Sequence, residues 1–206
     1  MDSLRILETA YVLTLFGGYL ALWRIKRAAQ RRATGLDPEV FGRATDSLQR
    51  FFNTMTKVLT GAVVVIIATH AVRLDLPGVR PAPEFDLRVL DHVGLAVGMA
   101  GLVFCGIAQR TMGAAWRVGI DEEHRTELVM VGLYRGLRNP TYLGLFLVDA
   151  GLLLIWPTCS VALFVLAFYL LLEVQVRCEE QHLLRLHGDV YRDYLQSTWR
   201  YLPGVY

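Results

Sequence analysis

The sequence predicts an all-α integral membrane protein of about five transmembrane helices, closing with a helical hairpin and a helical tail on the cytosolic side. Three observations carry this. Hydrophobic residues make up 54% of the 206-residue chain and charged residues only 19%, against roughly 25% charged in an ordinary soluble domain. Five apolar runs recur, three of them close to the ~20 residues that cross a bilayer core at about 1.5 Å per residue. The segments between the runs hold the prolines and most of the Lys and Arg residues.

The first run extends from Ile6 to Trp23 and ends in Arg24, Lys26, Arg27, Arg31 and Arg32. Asp2, Arg5 and Glu8 precede it and no small-residue cleavage site follows, so it is expected to be an anchor rather than a cleaved signal. From Ala28 to Arg50 the chain is polar and carries Gly35 and Pro38, which predicts a loop or a surface helix. The second span is Met55–Leu74. Pro77, Gly78, Pro81 and Pro83 break the chain after it. The third is Val89–Ala108, where Gly94, Gly98 and Gly101 would let a neighbouring helix come close. Gln109 to Pro140 is the longest polar stretch of the second half. Tyr142–Trp156 and Val161–Val176 are each short for a full span and flank Pro157-Thr158, which predicts a hairpin in a thinned or shielded region. From Arg177 to Tyr206 the pattern of Glu179, Glu180, Leu183, Leu184, Leu186 and Tyr191 suits a separate amphipathic helix.

The formal charge is +2 and no basic stripe with interleaved aromatics is present, which argues against a nucleic-acid partner. Cys105, Cys159 and Cys178 show neither metal-ligand nor disulfide spacing, so no metal is expected. Orientation follows from Lys and Arg in short loops. The 24–50 segment carries seven, 109–140 five and 75–88 two. An odd number of spans then places the N-terminus outside, and puts the 109–140 segment and the tail together inside.

Three places offer chemistry. Asn139 can cap a helix whose first residue is Pro140, and its free N–H groups would attract a carboxylate; the same residues also make a well-built start for any membrane helix. Glu179-Glu180, placed just past a membrane helix, opposes the helix dipole, which fits either a cationic ligand or the solvated first turn of a new helix. Tyr191, Tyr194, Trp199, Arg200 and Tyr201 suit an interfacial anchor. Asp149 and Glu173 lie in apolar runs where charge is costly; Asp149 is expected to face the bundle interior, neutral or paired. His70 is expected to be packed or interfacial.

Taken together, Leu128-Val129-Met130-Val131-Gly132-Leu133-Tyr134, Arg138-Asn139-Pro140-Thr141-Tyr142, Glu179-Glu180-Gln181-His182-Leu183 and Gly188…Tyr191…Tyr194…Arg200…Pro203 resemble the isoprenylcysteine carboxyl methyltransferase family and its phospholipid methyltransferase relatives. The resemblance spans Arg125 to Pro203. Asn139 stands where the family usually has His, Met130 where it has Thr, and Gln175 where it has a substrate-side Arg; Asn139 keeps a hydrogen-bonding side chain but cannot titrate. Apolar length gives three spans in residues 1–108, and the resemblance implies a methyltransferase core in 109–206, together one membrane domain. It implies S-adenosyl-L-methionine as cofactor, enclosed by Thr126, Glu127, Leu128, Val129, Tyr134, Arg138, Asn139, Pro140, Thr141, Tyr142 and Glu179. Gln175 and Arg200 would face the substrate, a lipophilic acceptor arriving from the bilayer among the membrane lipids. Arg200 and Glu180 would be catalytic, with Tyr191 and His182 as further candidate bases. The resemblance also suggests a bacterial inner membrane with the active site cytosolic. An NADPH-dependent membrane reductase of the sterol reductase type, which a bound nicotinamide would reveal, and a non-enzymatic membrane protein remain as alternatives. The acceptor's nucleophile and the oligomeric state stay open.

Overall fold

A computed structural model describes residues 2–204 apart from 42–45, 73, 75, 77, 81–86, 122–123 and 125; for residues 2–5 only the backbone is described. Pro77, Pro81, Pro83 and Arg125 therefore lie outside the described residues. Six α-helices follow in order: α1 Asp2–Thr34, α2 Ser47–Ala71, α3 Arg88–Met112, α4 Pro140–Ile155, α5 Cys159–His187 and α6 Asp189–Ser197. Among the described residues four segments are long and apolar enough to cross a membrane, and α4 is a shorter apolar helix. Its 16 residues span about 24 Å, short of a ~30 Å hydrocarbon core. Outward faces are apolar: Val64 and Val65 of α2 and Leu163 of α5 are 59%, 61% and 66% exposed, a surface suited to lipid.

Two boundaries differ from those the sequence suggests. The first helix does not stop at its Arg cluster but runs on to Thr34, because Arg and Lys are good helix formers. Gly35, in the left-handed region at φ 73°, follows its end. At the other end of the chain no break occurs near Arg177. Residues 159–187 form one continuous helix, with no Gly or Pro to interrupt it. Its charged turns are braced by Arg177–Glu173 at 2.9 Å and Gln175–Glu179 at 2.8 Å, both four residues apart. Glu179 and Glu180 thus sit inside a helix rather than past its end or in the first turn of a new one. The stop comes at Gly188, whose φ of 58° admits glycine readily, and α6 starts at once.

The core joins α1, α2, α4 and α5 through Val12, Leu15, Val63, Leu152, Ile155 and Val161. The α4–α5 hairpin turns at Trp156-Pro157-Thr158, where the Thr158 hydroxyl caps α5 by accepting from Val161 N. Trp156 stacks on His70 at 4.4 Å and donates to Glu8, so His70 is a packed residue. Asp149 is 4% exposed and its Oδ2 has no hydrogen-bond partner among the described residues.

Helices α3 and α4 pack backbone against backbone. A Cβ on Gly101 would lie 2.5 Å from the Gly144 carbonyl oxygen, and one on Gly151 would lie 2.5 Å from that of Gly94. Small residues permit this approach where apolar side chains gain nothing from leaving lipid. Gly101→Ala should therefore destabilise the protein by about 1–3 kcal/mol in thermal unfolding of detergent-solubilised protein. Gly17→Ala, with nothing within 4 Å of the added atom, should not lower stability, and the better helix propensity of Ala can raise it by up to about 1 kcal/mol.

Candidate functional site

The site begins with a local turn. Val131 is extended, Gly132 takes φ 58°, and Gly132–Arg135 forms a 3-10 turn. This buries the Tyr134 ring to 6% exposure. Tyr134 and Thr141 hydroxyls lie 3.3 Å apart, and the Tyr194 hydroxyl donates to the Tyr134 carbonyl at 2.6 Å. Burial raises the hydroxyl pKa of Tyr134, Tyr191 and Tyr201, and pushes that of Tyr194 up to about 12. All four are therefore protonated donors near neutral pH.

The tail is laid beside this turn. Arg138 N donates to Trp199 O, Asn139 N to Arg200 O and Trp199 N to Gly136 O. The side chains then converge on one carboxylate. Glu180 accepts from Arg138 Nε at 3.1 Å, Asn139 Nδ2 at 2.9 Å and Arg200 Nη2 at 2.7 Å. Arg138 also donates to the carbonyls of Leu195 and Thr198. Beyond Arg200, Glu173 accepts from Arg200 Nη1 and from the Tyr201 hydroxyl. Asn139 occupies the N-cap position of α4 but makes no capping hydrogen bond there; its amide serves Glu180 instead.

Glu179, one residue earlier, points elsewhere. It accepts from the Tyr142 hydroxyl at 2.7 Å and from Gln175 Nε2 at 2.8 Å. It also faces a cavity of about 250 Å³. Thr126–Val129 run along the wall of this cavity outside any helix, and Tyr134, Asn139, Thr141 and Tyr142 line it from the other motif. Arg138, Gln175 and Glu179 line it as well. Pro140 is buried at the start of α4; it, Glu180 and Arg200 are not among the lining residues, and the last two hold each other beside the cavity.

The family model for the isoprenylcysteine carboxyl methyltransferase (ICMT) family matches residues 93–185, which hold most of α3, the 113–139 segment, α4, nearly all of α5 and both glutamates. Over these residues the chain is similar to the isoprenylcysteine carboxyl methyltransferase family. It is 30% identical over 128 residues to a protein-S-isoprenylcysteine O-methyltransferase of Dictyostelium discoideum, covering 60% of this chain and 54% of that protein. It is 26% identical over 198 residues to the enzyme of the same name from Tribolium castaneum, covering 94% and 67%. The chain thus spans about half the length of the first relative and two thirds of the second. A solved structure of the eukaryotic intramembrane Ras methyltransferase ICMT shares the fold, with a TM-score of 0.59, 22% identity and coverage of 95% of this chain and 68% of that one. The chain therefore has an all-helical membrane fold like that of the solved structure.

Sequence reasoning missed the wall contributed by α1, α2, the end of α3 and the loops beside them. Tyr19 of α1, Phe52 of α2, Gln109 of α3, and Phe41 and Trp116 of the loops all line the cavity. Buried amides hold this wall. Gln30 Nε2 donates to Ala114 O at 2.6 Å, and Gln49 Oε1 accepts from Ile120 N at 3.2 Å. Gln30, Gln49 and Gln109 are 2–3% exposed. A glutamine near the polar end of each of three otherwise apolar helices was the available signal. The Glu180 arrangement makes a direct prediction. Glu180→Ala leaves Arg138 and Arg200 partly buried without their shared carboxylate, and should lower unfolding stability by about 3–5 kcal/mol in denaturant titration of the micellar protein.

Proposed function

We propose that this chain is an S-adenosylmethionine-dependent methyltransferase of the membrane, acting on a lipophilic acceptor. One observation supports the reading above others: Thr126–Val129, Tyr134, Tyr142 and Glu179, far apart in sequence, share one cavity. The same cavity is walled in part by apolar side chains of α2 and α5, among them Phe52, Phe168 and Leu172. The residues fit the cofactor. A half-buried carboxylate, Glu179, suits an ammonium group or ribose hydroxyls, and tyrosine faces suit a cation, a contact worth about 0.5–2 kcal/mol. When bound, the cofactor supplies a methyl group made electrophilic by its sulfonium.

The protein's own work is then alignment and exclusion of water. Tyr142 and Gln175 fix the Glu179 carboxylate by two hydrogen bonds. The Tyr134 turn and residues 126–129 hold the far side of the pocket. The tail seals the pocket through Tyr194, and the apolar stretch between α2 and α5 admits the acceptor's tail laterally. Glu180 and Arg200 act here as positioning residues, tying the tail to α5. Residues 109–206 form the cofactor core, walled by 1–108. The bridge between Glu39 and Val118 and that between Leu137 and Trp199 gather the polar segments at one end of the bundle; with the Lys and Arg count, this supports a cytosolic site.

Isothermal titration of the purified protein with the cofactor tests the reading. Binding is expected, and Glu179→Ala or Tyr142→Ala should weaken it about tenfold or more. Absence of binding at millimolar cofactor, with folding intact by circular dichroism, overturns it.

A further inference from the structure

We propose that the α1–α3 side of the bundle, at its polar end, holds the phosphate head group of an anionic phospholipid between Arg24, Arg110 and Arg135. The inference concerns a face away from the stretch between α2 and α5 and does not depend on the methyl-transfer reading. It starts from two outward stripes. On α1, Leu13, Gly17, Leu20 and Arg24 recur at helical spacing and all are exposed. On α3, Met99, Val103, Ile107 and Arg110 do the same. Each apolar stripe thus meets a guanidinium, the arrangement expected where hydrocarbon gives way to head groups.

The two stripes are neighbours. A Cβ on Gly18 would lie 2.8 Å from the Leu102 side chain, and one on Gly106 would lie 3.5 Å from that of Leu22. The two helices stay together up to the polar end, where Lys26 of α1 donates to the Gly113 carbonyl at 3.1 Å. The third guanidinium comes from the turn before α4. A Cβ on Gly132 would lie 3.1 Å from Thr111, so the Gly132–Arg135 turn packs on the last turn of α3. That packing sets Arg135 and Val131, which is 63% exposed, beside the same helix end.

Charge decides the occupant. Among the described residues Arg24, Arg110 and Arg135 make no side-chain hydrogen bond or ion pair. The described acids of the flanking loops are engaged elsewhere. Asp37 and Glu39 pair with Arg27, and Asp121 pairs with Arg117. Asp46 caps α2, and Glu127 stands on the cavity wall. On the α5 side the corresponding cation, Arg177, is held by Glu173 at 2.9 Å. Three exposed guanidinium groups with no anion of their own, above two apolar stripes, fit a ligand that carries one phosphodiester charge and two acyl chains. Guanidinium matches a phosphodiester in shape as well as charge. A zwitterionic head group brings its own cation to the same place and loses most of that attraction. Each basic residue near the head groups favours anionic lipid by about fivefold.

The test is native mass spectrometry of the full chain in detergent, mixed with equal amounts of phosphatidylglycerol and phosphatidylcholine of identical acyl chains. The first lipid retained should be phosphatidylglycerol, by about tenfold or more. The double variant Arg110→Gln/Arg135→Gln should cut that preference about fivefold or more, and Arg110→Lys/Arg135→Lys, which keeps the charge, should retain most of it. Lys57→Gln, which removes an exposed cation of α2, should leave the preference unchanged to within about twofold. Equal retention of the two lipids, a preference unmoved in the double glutamine variant, or an equal loss in Lys57→Gln overturns the proposal. The comparison of the two lipids on the unsubstituted chain decides by itself should a variant fail to fold.

Discussion

The architecture of the site depends on one carboxylate. Glu180 accepts hydrogen bonds from Arg138, Asn139 and Arg200, and so joins the start of α4, the middle of α5 and the C-terminal tail. These segments are separated in sequence by a hairpin buried in the apolar bundle. Desolvating a carboxylate and two guanidinium groups costs several kcal/mol per ion, offset only when geometry and additional hydrogen bonds satisfy every group. Here the surplus donors reach Glu173 and the carbonyls of Leu195 and Thr198. The network gains specificity of arrangement, and the helical twist then decides what its neighbour does. Glu179 is about 100° around α5 from Glu180, which turns it from the clamp toward the cavity. Two adjacent carboxylates serve two different tasks because of that rotation.

A second layer comes from the N-terminal half. Its helices each hold a segment long and apolar enough to cross a membrane. Where they emerge, glutamines on α1, α2 and α3 either grip the backbone of residues 114–120 or stand on the cavity wall. Ion pairs of Arg27 with Asp37 and Glu39 hold the loop that follows α1, and Phe41 at its end packs on Gly119, where a Cβ would lie 2.9 Å from the ring. The membrane bundle and the pocket are therefore one construction: α3 and α4, packed glycine to glycine, set the spacing that lets α1, α2 and α5 close around the same space.

Much of this was legible in the sequence because lipid imposes a simple rule. Apolar length gives the spans, and Pro157-Thr158 gives the hairpin. Gly94 and Gly101 announce close packing through missing side chains. The four motifs around Tyr134, Asn139, Glu179 and Tyr194 signal that distant segments meet. Less legible was anything set by continuity or by long-range pairing. The helix through Arg177 to His187 could not be read from hydropathy, since a helix leaving the membrane changes polarity without changing backbone geometry. The partner of Asn139 was equally hidden: a cap and a cross-chain hydrogen bond use the same amide. The walls from Tyr19, Phe52 and Gln109 depend on how helices are rotated in the bundle, which weakly amphipathic membrane helices do not reveal.

The central claim is that Glu179 faces the cofactor while Glu180 holds the frame. An experimental structure of the protein with S-adenosylhomocysteine, the demethylated form of the cofactor, addresses it most directly. The account predicts ligand density among Tyr134, Tyr142 and Glu179, with Glu180 still bound to Arg138, Asn139 and Arg200. Ligand density contacting Glu180 or Arg200 directly, or lying away from Glu179, would contradict it.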